Sequence, residues 1–444
     1  MPLPVILIFD VGKTNKKTLL FDRQYRLIDE RCEQLPEITD EDGFPCEDVQ
    51  ALTAWIKNSF RIILEDPRFE VKAVNFTAYG ASFVYLGKDG SVLTPLYNYL
   101  KPYPAWLQEK LYSSYGGPLE FSLRTASPVL GSLNAGMQLY RLKMEKPELF
   151  ASIRVALHLP QYLSYILTGL VATDITSIGC HTHLWDFPRR AYHDWVTKEG
   201  LEEKFAPITP CDAAVPLQYL GKTLAAGYGM HDSSSALIPY LACFQEPFIL
   251  LSTGTWCISM NPFNHHPLQE HELKKDCLCY LTYKGVPVKA SRLFGGYEHE
   301  QQTKRLAVHF HTSEDYYKQI AFTQPRVQEG SRQSGREPSL VGHAQKDYCG
   351  LDSYEQAYSQ LMEDIVSAQV QSTGLVLENG PVRRIFVDGG FSANPLFLGL
   401  LRQAFKDLEV LSATVSQATA LGAALAMHSH WNDLPIPEGL IELK

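Results

Sequence analysis

The sequence lacks the features that mark several classes of protein. Among its 444 residues, 49 acidic side chains outnumber 40 basic ones, and no basic block stands out. Nucleic acid and anionic membranes are therefore not expected as partners. The apolar run near the N-terminus covers only residues 5–9, and Asp10 follows it directly. Such a run predicts a buried strand and neither a signal peptide nor a membrane span, so we expect a cytoplasmic protein.

A disulfide or zinc framework is also missing. The nine cysteines are scattered, and the nearest pair, Cys277 and Cys279, has no second pair to complete a zinc site. We therefore expect reduced thiols. Three histidines, His265, His266 and His271, lie close together and invite a metal-site interpretation. Because proline and polar residues flank them, solvated side chains on a surface loop are favoured.

The first glycine of a nucleotide-binding P-loop is absent as well. Residues 7–22 read LIFDVGKTNKKTLLFD, and Gly12, Lys13 and Thr14 separate two apolar runs there. A P-loop needs an earlier glycine and a helix after the turn, whereas the residues after this turn read as a strand. The stretch therefore predicts strand, tight turn, strand. Its turn is either an ordinary polar hairpin tip or a place where backbone amides hold a phosphate.

The same layout occurs again about 240 residues later. In PFILLSTGTWCISMNP an apolar run meets Thr253, Gly254 and Thr255, and a second apolar run follows. The chain is long enough for two domains of roughly 200 residues each. Two such units therefore predict two similar domains that present hairpins to a shared ligand. Because threonine hydroxyls and backbone amides are both donors, a polyphosphate is the expected ligand.

After the strand RRIFVDGG we expect a third turn whose backbone can approach a ligand. Gly389 and Gly390 end that strand, and a helix follows with Asn394 at its N-cap and Pro395 in its first turn. Only two glycines are present, so the dinucleotide fingerprint G-x-G-x-x-G is a poor match.

Periodicity and helix breakers predict the other elements. A strand ending at Gly80 is followed by a hairpin that turns at residues 88–90. A polar segment, 327–348, is expected to be a long loop. The predicted helices cover residues 132–150, 159–168 before Gly169, 352–380 closed by Gly380, and 416–427 with a small-residue face of Ala420, Ala423 and Ala424. That face allows close packing against a neighbour, and ordinary core packing explains it equally.

One carboxylate follows a turn that contains two glycines. The segment AAGYGMHDSSSALIPY places Asp232 directly before a predicted helix. A carboxylate at the end of such a loop can take the proton from a hydroxyl that attacks a phosphorus atom. It can also cap the helix that begins in SSSALIPY. From the residues alone, both roles stay open.

In their order and spacing, these segments resemble the FGGY carbohydrate kinases of the actin-like ATPase superfamily over nearly the whole chain. The resemblance implies an α/β fold of two actin-like, ribonuclease H-like domains, residues 1–240 and 241–444, with a nucleotide and sugar cleft between them. It implies a ketose substrate, with ATP and Mg²⁺ as cofactors, and it leaves a homodimer open. The ATP-binding residues that it implies are Gly12, Lys13, Thr14, Thr253, Gly254, Thr255, Gly389, Gly390 and Asn394.

The resemblance also implies the chemistry. Asp232 matches the family's catalytic aspartate and would be the general base, and Asp10 would hold Mg²⁺, through water. His231 and the string STGTW are similar to L-rhamnulose and L-fuculose kinases more than to xylulose or glycerol kinases, which implies phosphorylation of the C1 hydroxyl of a 6-deoxy ketose. The similarity of FTAYGASF to rhamnulose kinases implies a sugar pocket lined by Thr77, Tyr79, Gly80 and His231.

The sequence departs from the family pattern at four positions. Leu100 and Lys101 stand where an aspartate and an arginine are usual, Asp388 replaces a glycine of the adenosine segment, and Gln417 replaces a glutamate. These departures leave another ketose, such as xylulose, open as substrate. Two further alternatives are an actin-like ATPase without a sugar acceptor and a sugar-binding regulator. A peptide-binding domain would mark the first and a helix-turn-helix the second, and neither is visible in the sequence.

Overall fold

The computed structural model describes residues 1–321, 346–377, 382–415 and 417–444. Within them, two seven-stranded mixed sheets organise the chain. Most of the polar segment 327–348, the end of the helix at Gly380 and Ser416 lie outside the described residues. None of the described helices is both long and apolar enough to cross a membrane.

The bounds of the elements are as follows. The strands are β1 Leu3–Val11, β2 Lys16–Asp22, β3 Leu27–Glu33, β4 Glu37–Thr39, β5 Pro45–Glu47, β6 Phe69–Ala78, β7 Phe83–Leu86, β8 Val155–His158, β9 Thr173–Asp174, β10 Trp185–Asp186, β11 Ala191–Tyr192, β12 Ile208–Thr209, β13 Ala214–Tyr219, β14 Lys222–Gly227, β15 Met230–His231, β16 Phe248–Thr253, β17 Cys257–Asn261, β18 Cys277–Leu281, β19 Pro287–Leu293, β20 Arg384–Gly389, β21 Glu409–Thr414 and β22 Glu442–Leu443. The α-helices are α1 Val49–Glu65, α2 Ala105–Ser114, α3 Gly117–Thr125, α4 Ala135–Glu145, α5 Pro147–Ser152, α6 Leu159–Thr168, α7 Ile175–Ile178, α8 Asp194–Lys198, α9 Asp232–Cys243, α10 Glu270–Leu273, α11 Gly295–Phe310, α12 Tyr354–Leu377, α13 Pro395–Ala404, α14 Ala418–Ala426 and α15 His428–Trp431. Short 3₁₀ turns cover Gly131–Leu133, Glu202–Lys204, Tyr316–Gln319 and Gly390–Ala393.

The first sheet is built around β1. Residues 5–9 of this strand are fully buried, as expected for a strand covered on both faces. β1 pairs antiparallel with β2 and parallel with β6, and the order across the sheet is β13-β14-β6-β1-β2-β3, with β15 also paired to β6. The predicted strand, turn and strand of residues 7–22 is therefore confirmed.

The second sheet repeats this arrangement. β16 pairs antiparallel with β17 and parallel with β20, and the order is β18-β19-β17-β16-β20-β21-β22. In each sheet, the second strand of the hairpin pairs with a further antiparallel strand, β3 in the first sheet and β19 in the second. On the other side of each hairpin lie two parallel strands, β6 and β14 in the first sheet and β20 and β21 in the second. The prediction of two similar α/β units is therefore confirmed.

Two helices, α9 and α14, lie together in the core that the two sheets share. Their backbones approach so closely that a Cβ atom on Gly422 would lie 1.9 Å from the carbonyl oxygen of Ser235. Ala420, Ala423 and Ala424 are fully buried. The predicted close packing of the small-residue face is therefore confirmed.

Three predicted elements differ from the structure. The helix expected over 132–150 is two helices, α4 and α5, because Pro147 cannot continue the hydrogen-bond ladder of α4. The strand expected to end at Gly80 ends at Ala78. The hairpin at residues 88–90 forms only one bridge, between Leu86 and Val92, and β7 pairs with β8. The expected helix end at Gly169 is confirmed, in the left-handed conformation.

Candidate active site

Three parallel strands of the first sheet end side by side. In the register of β1, β6 and β15, Thr77 is paired with Asp10 on one side and with Met230 on the other. His231 is paired with Ala78 in the next position. In open α/β sheets ligands bind at the carboxyl ends of the strands, so the register brings predicted metal, sugar and catalytic residues to one edge.

Asp232 is the first residue of α9. The residue before it, His231, occupies the N-cap, where its Nδ1 accepts the Ser233 N–H at 3.2 Å. The alternative role of Asp232 as the helix cap is therefore wrong. The Asp232 carboxylate accepts the same N–H at 2.5 Å, and 31% of its side chain is exposed. It forms no ion pair with a Lys or Arg of the described residues.

Asp10 has close polar and charged neighbours at this strand edge. Its Oδ2 accepts a hydrogen bond of 2.6 Å from Thr419 at the start of α14. Burial raises the pKa of Asp10 to about 6; the Thr419 hydrogen bond opposes this rise, and the nearby charge of Asp232 adds to it. A carboxylate that is costly to ionise beside another carboxylate suits a divalent cation, so the residues present fit Mg²⁺.

This pKa predicts an effect on stability. Because the pKa of Asp10 lies above its ordinary value of 3.8, the folded chain binds the proton more tightly than the unfolded chain. Ionisation of Asp10 therefore lowers the free energy of unfolding as the pH rises from about 4 to about 6. We expect Asp10→Asn to melt at a higher temperature than wild type at pH 8 without Mg²⁺, and at a similar temperature at pH 4.

Thermal unfolding with EDTA at both pH values checks this prediction. Asp433→Asn is the control, because this carboxylate is 77% exposed and its replacement should leave the difference between the two pH values unchanged. A lower melting temperature of Asp10→Asn at pH 8 would contradict the assigned pKa.

The first hairpin turn is held from inside by a lysine. Gly12 N–H donates to Asn15 O at 2.9 Å, which closes the turn. The buried Lys16 Nζ donates to the carbonyl oxygens of Gly12 and Lys13 at 3.1 and 2.9 Å, and it pairs with Glu47 at 3.1 Å. With its carbonyls bound by Lys16, the loop keeps its shape without the glycines of a P-loop.

The predicted phosphate residues of this turn differ in what they offer. Lys13 Nζ bonds to Glu37 at 2.6 Å and lies 3.5 Å from Glu47. Although burial opposes it, the hydrogen bond and the charges of these carboxylates raise the pKa of Lys13, which stays a cation. Thr14 is exposed at the tip. Sequence reasoning missed Lys16 and Glu47, because Glu47 comes from a different hairpin.

Thr253 joins the second hairpin to the turn after β20. Its Oγ1 donates to Asp388 O at 2.5 Å and accepts the Phe391 N–H at 2.9 Å. A pocket of about 440 Å³ opens beside this junction. Four of the predicted ATP residues line it, namely Thr253, Gly254, Gly390 and Asn394. Gly389 and Thr255 adjoin this wall, and Thr255 is exposed.

Part of the lining of this pocket was not foreseen. It includes Gly296, His299, Tyr317 and Lys318, which no motif connects with the glycine turns. Asn394, in the predicted part of the lining, also stabilises the helix that it begins. Its Oδ1 accepts the N–H groups of Leu396 and Phe397, as predicted for an N-cap, and its Nδ2 donates to Tyr358.

Gly389, next to the pocket residue Gly390, occupies a position that requires glycine. Its φ is +86° and its ψ is −152°, a region that only glycine adopts readily, and a Cβ atom would lie 2.1 Å from Thr253 O. We expect Gly389→Ala to lower the free energy of unfolding by at least about 2 kcal/mol and to raise KM for ATP. Urea unfolding and ATP titrations measure both effects.

Gly374→Ala is the matched control for Gly389→Ala. Gly374 lies inside α12, where a Cβ atom would meet nothing within 4 Å. This substitution should raise the free energy of unfolding by about 0.5–1 kcal/mol. Equal stability changes in the two variants would contradict the close contact between Gly389 and Thr253.

The predicted sugar residues separate into two groups. Thr77 is buried, and its Oγ1 has no hydrogen-bond partner among the described residues. Gly80 touches His231, since a Cβ atom there would lie 2.4 Å from the imidazole Cδ2. These three residues lie together. The Tyr79 hydroxyl instead donates to Glu47 of β5 at 2.6 Å.

Three of the four positions that depart from the family pattern bind neighbouring side chains. The Asp388 carboxylate accepts the Tyr240 hydroxyl at 3.1 Å. Gln417 accepts from Lys17 and donates to Glu30, both at 3.0 Å, and so links α14 to the first hairpin. Lys101 pairs with two aspartates, Asp40 and Asp42.

The three clustered histidines are exposed as predicted, and all nine cysteines are free thiols.

Comparison with known proteins decides the family. A model of the N-terminal domain of the FGGY family of carbohydrate kinases matches residues 5–213, and a model of the carbohydrate kinase FGGY C-terminal domain matches residues 245–434. The chain belongs to the FGGY family of carbohydrate kinases. The resemblance of its motifs to this family is therefore confirmed.

Individual FGGY relatives are distant. A rhamnulokinase from Halalkalibacterium halodurans is 26% identical over 271 residues, which is 56% of this chain and 52% of the relative. An L-fuculokinase from Salmonella typhi is 26% identical over 286 residues, which is 59% of this chain and 57% of the relative. The chain thus spans little more than half the length of these curated relatives.

Solved FGGY structures match over the whole chain. A carbohydrate kinase from Novosphingobium aromaticivorans has a TM-score of 0.79 at 23% identity, with 100% of this chain and 94% of the other covered. A ligand-bound xylulose kinase from Lactobacillus acidophilus has a TM-score of 0.81 at 16% identity, with 100% and 93% covered. At these identities the likeness establishes the fold, and the predicted fold of two actin-like α/β domains is confirmed.

Proposed function

We propose that this chain is an ATP-dependent sugar kinase that phosphorylates the C1 hydroxyl of a ketose, with L-rhamnulose or L-fuculose as the preferred substrate. One observation carries the proposal. Asp232, a partly exposed carboxylate without a Lys or Arg partner among the described residues, lies at the strand edge that holds Asp10.

In the proposed reaction, Asp232 is the general base. It takes the proton from the sugar hydroxyl as that oxygen attacks the γ-phosphorus of ATP, and the bond from the γ-phosphorus to the bridging oxygen breaks to release ADP. The hairpin turns at residues 12–14 and 253–255 would hold the phosphates through backbone amides and hydroxyls. The pocket beside Gly389, Gly390 and Asn394 would take the adenosine.

Asp10 is the proposed Mg²⁺ site, with water between the carboxylate and the ion. When bound, Mg²⁺ would neutralise negative charge on the phosphates. The hydrogen bond from the Thr419 hydroxyl holds one oxygen of the Asp10 carboxylate in place. Movement of the proposed domains, 1–240 and 241–444, would close the cleft and exclude water that would otherwise consume ATP. The division at residue 240 falls within α9.

The substrate proposal has two supports. The curated relatives include proteins named rhamnulokinase and L-fuculokinase, and His231 lies against Gly80 and beside Thr77 at the strand edge. The alternative is another ketose such as xylulose, since Leu100 and Lys101 depart from the family pattern. An ATPase without a sugar acceptor is the further alternative. Among the described residues we find no separate peptide-binding domain that would favour it.

A coupled assay of ADP release tests the proposal. The chain is incubated with MgATP alone and then with each of several ketoses at millimolar concentration. The expected result is slow release with MgATP alone and a large increase with one ketose. Steady ADP release that no sugar changes would favour the ATPase alternative.

A further inference from the structure

A second imidazole, that of His181, lies beside His231. The centres of the two rings are 6.3 Å apart, and their planes are nearly perpendicular. His181 follows α7 in a left-handed conformation, with φ at +40°. Its carbonyl oxygen accepts the Asn134 side-chain N–H at 2.8 Å. The fold therefore fixes the backbone from which this imidazole projects.

The same short helix also positions His231. Thr176, in α7, donates its hydroxyl proton to Asp174 at 2.6 Å and accepts the backbone N–H of His231 at 2.9 Å. The ring of Tyr280, from the second sheet, stacks on His231 at 6.1 Å and meets His181 edge-on at 6.4 Å. Both imidazoles are thus held on several sides.

Backbone contacts decide which nitrogen of each ring carries the proton. His181 Nδ1 faces Leu133 O at 3.1 Å. A carbonyl oxygen only accepts, so this Nδ1 carries the proton and Nε2 has a free lone pair. Burial lowers the pKa of His181 to about 3, so the ring is neutral.

His231 has the opposite arrangement. Its Nδ1 accepts the Ser233 N–H at 3.2 Å, and that hydrogen fills the space where a proton on Nδ1 would lie. The contact of Nδ1 with Asp232 Oδ1 is longer, at 3.4 Å. A ring whose Nδ1 accepts this hydrogen carries its own proton on Nε2. Among the described residues, neither Nε2 atom has a protein hydrogen-bond partner.

We propose that His181 and His231 together bind one secondary hydroxyl of the sugar, with His231 Nε2–H as donor and His181 Nε2 as acceptor, and that His181 determines specificity. A hydroxyl both accepts and donates one hydrogen bond, whereas a carbonyl or ether oxygen only accepts and would face the His181 lone pair. The inference rests on the proposed kinase function, because Asp232, next to His231, marks where the sugar reacts.

A metal site is the competing interpretation of these side chains. Cys180 Sγ and one nitrogen from each of the two imidazoles lie within 4.8 Å of one another. The tautomers argue against it, since a ligating His231 Nε2 would have to lose its proton to Nδ1, where Ser233 N–H already points. Burial also raises the pKa of Cys180 well above its usual value, so it stays a thiol.

The test combines variants with deoxy sugars. His181→Phe removes the acceptor and keeps a ring, His181→Asn keeps an acceptor oxygen, and Cys180→Ala is the control. For the best ketose and each of its monodeoxy analogues, kcat/KM is measured. For wild type, kcat/KM should be at least about 10²-fold lower with one of the deoxy analogues than with the parent ketose, because two polar atoms are then left unpaired. His181→Phe should reduce that loss to less than about tenfold, while His181→Asn and Cys180→Ala retain most of it.

The outcomes separate the inference from the function on which it rests. If wild type phosphorylates no ketose, the proposed function fails and the inference fails with it. If wild type is active but His181→Phe discriminates as wild type does, only the inference is overturned. Tight Zn²⁺ binding that depends on Cys180, His181 and His231 would overturn it in favour of the metal site.

A spectroscopic readout covers the case in which His181→Phe does not fold. Long-range ¹⁵N–¹H spectra of the histidine-labelled wild type distinguish the two neutral tautomers, with His181→Asn used for assignment. The expected result is a proton on Nδ1 of His181 and on Nε2 of His231. The reverse tautomers would overturn the inference.

Discussion

Replacing Asp232 by Asn should reduce kcat by about 10²–10⁴-fold, which is the usual contribution of general acid–base catalysis. The amide cannot take the proton of the attacking hydroxyl. It keeps the size of the carboxylate, and its oxygen can still accept the Ser233 N–H. KM for ATP and for the sugar should therefore change by less than about threefold. Initial rates at saturating MgATP, with both substrates varied, measure these effects.

Asp433→Asn is the matched control for Asp232→Asn. Asp433 pairs with Arg23 on the surface and is 77% exposed, so its amide variant should keep the wild-type kcat. Near-normal turnover of Asp232→Asn would remove Asp232 from the proposed mechanism. Loss of turnover in both variants would point to a general effect of the substitutions.

The choice of sugar substrate should change kcat/KM by as much as the Asp232→Asn substitution changes kcat. A site that hydrogen-bonds particular hydroxyls rejects an analogue that leaves its polar groups unpaired by up to about 10⁴-fold, whereas one methyl group in an apolar contact is worth about 10–200-fold. We therefore expect L-rhamnulose or L-fuculose to be the best substrate. For a hydroxyl epimer kcat/KM should fall steeply, whereas an analogue without the terminal methyl group should still be phosphorylated.

The measurement is kcat/KM for L-rhamnulose, L-fuculose, L-xylulose, D-xylulose and L-ribulose at saturating MgATP. The Thr77 hydroxyl, which has no partner among the described residues, and the imidazoles of His181 and His231 are the polar groups that would enforce the preference. A clear preference for D-xylulose would refute the specificity and leave the kinase proposal intact.

The hairpins could be predicted from the sequence because turn chemistry is local. Gly12 and Gly254 each separate two apolar runs, and each lies in a turn between two antiparallel strands that its own backbone N–H closes with a hydrogen bond. The N-cap of α13 could be predicted for the same reason, since Asn394 bonds to N–H groups two and three residues away. Repetition of the hairpin also made the two similar units visible.

Long-range contacts explain what the sequence could not show. Tyr79 follows the end of β6 at Ala78, so strand alternation does not fix the direction of its side chain, and its bond to Glu47 could not be foreseen. Its place beside the sugar stays a prediction. His231 takes the N-cap that a histidine seldom fills. Tyr317 and Lys318 reach the pocket from a distant part of the chain, and no spacing rule connects them with Gly390.

Direct analysis of the product tests the central claim that this chain transfers the γ-phosphoryl group of ATP to a ketose. The full chain is incubated with MgATP and L-rhamnulose or L-fuculose, and the products are followed by ³¹P NMR and mass spectrometry. We expect one ketose 1-phosphate for each ADP formed, and none with Asp232→Asn over the same interval. Inorganic phosphate as the partner of ADP, with no phosphorylated sugar from any ketose tested, would contradict the account.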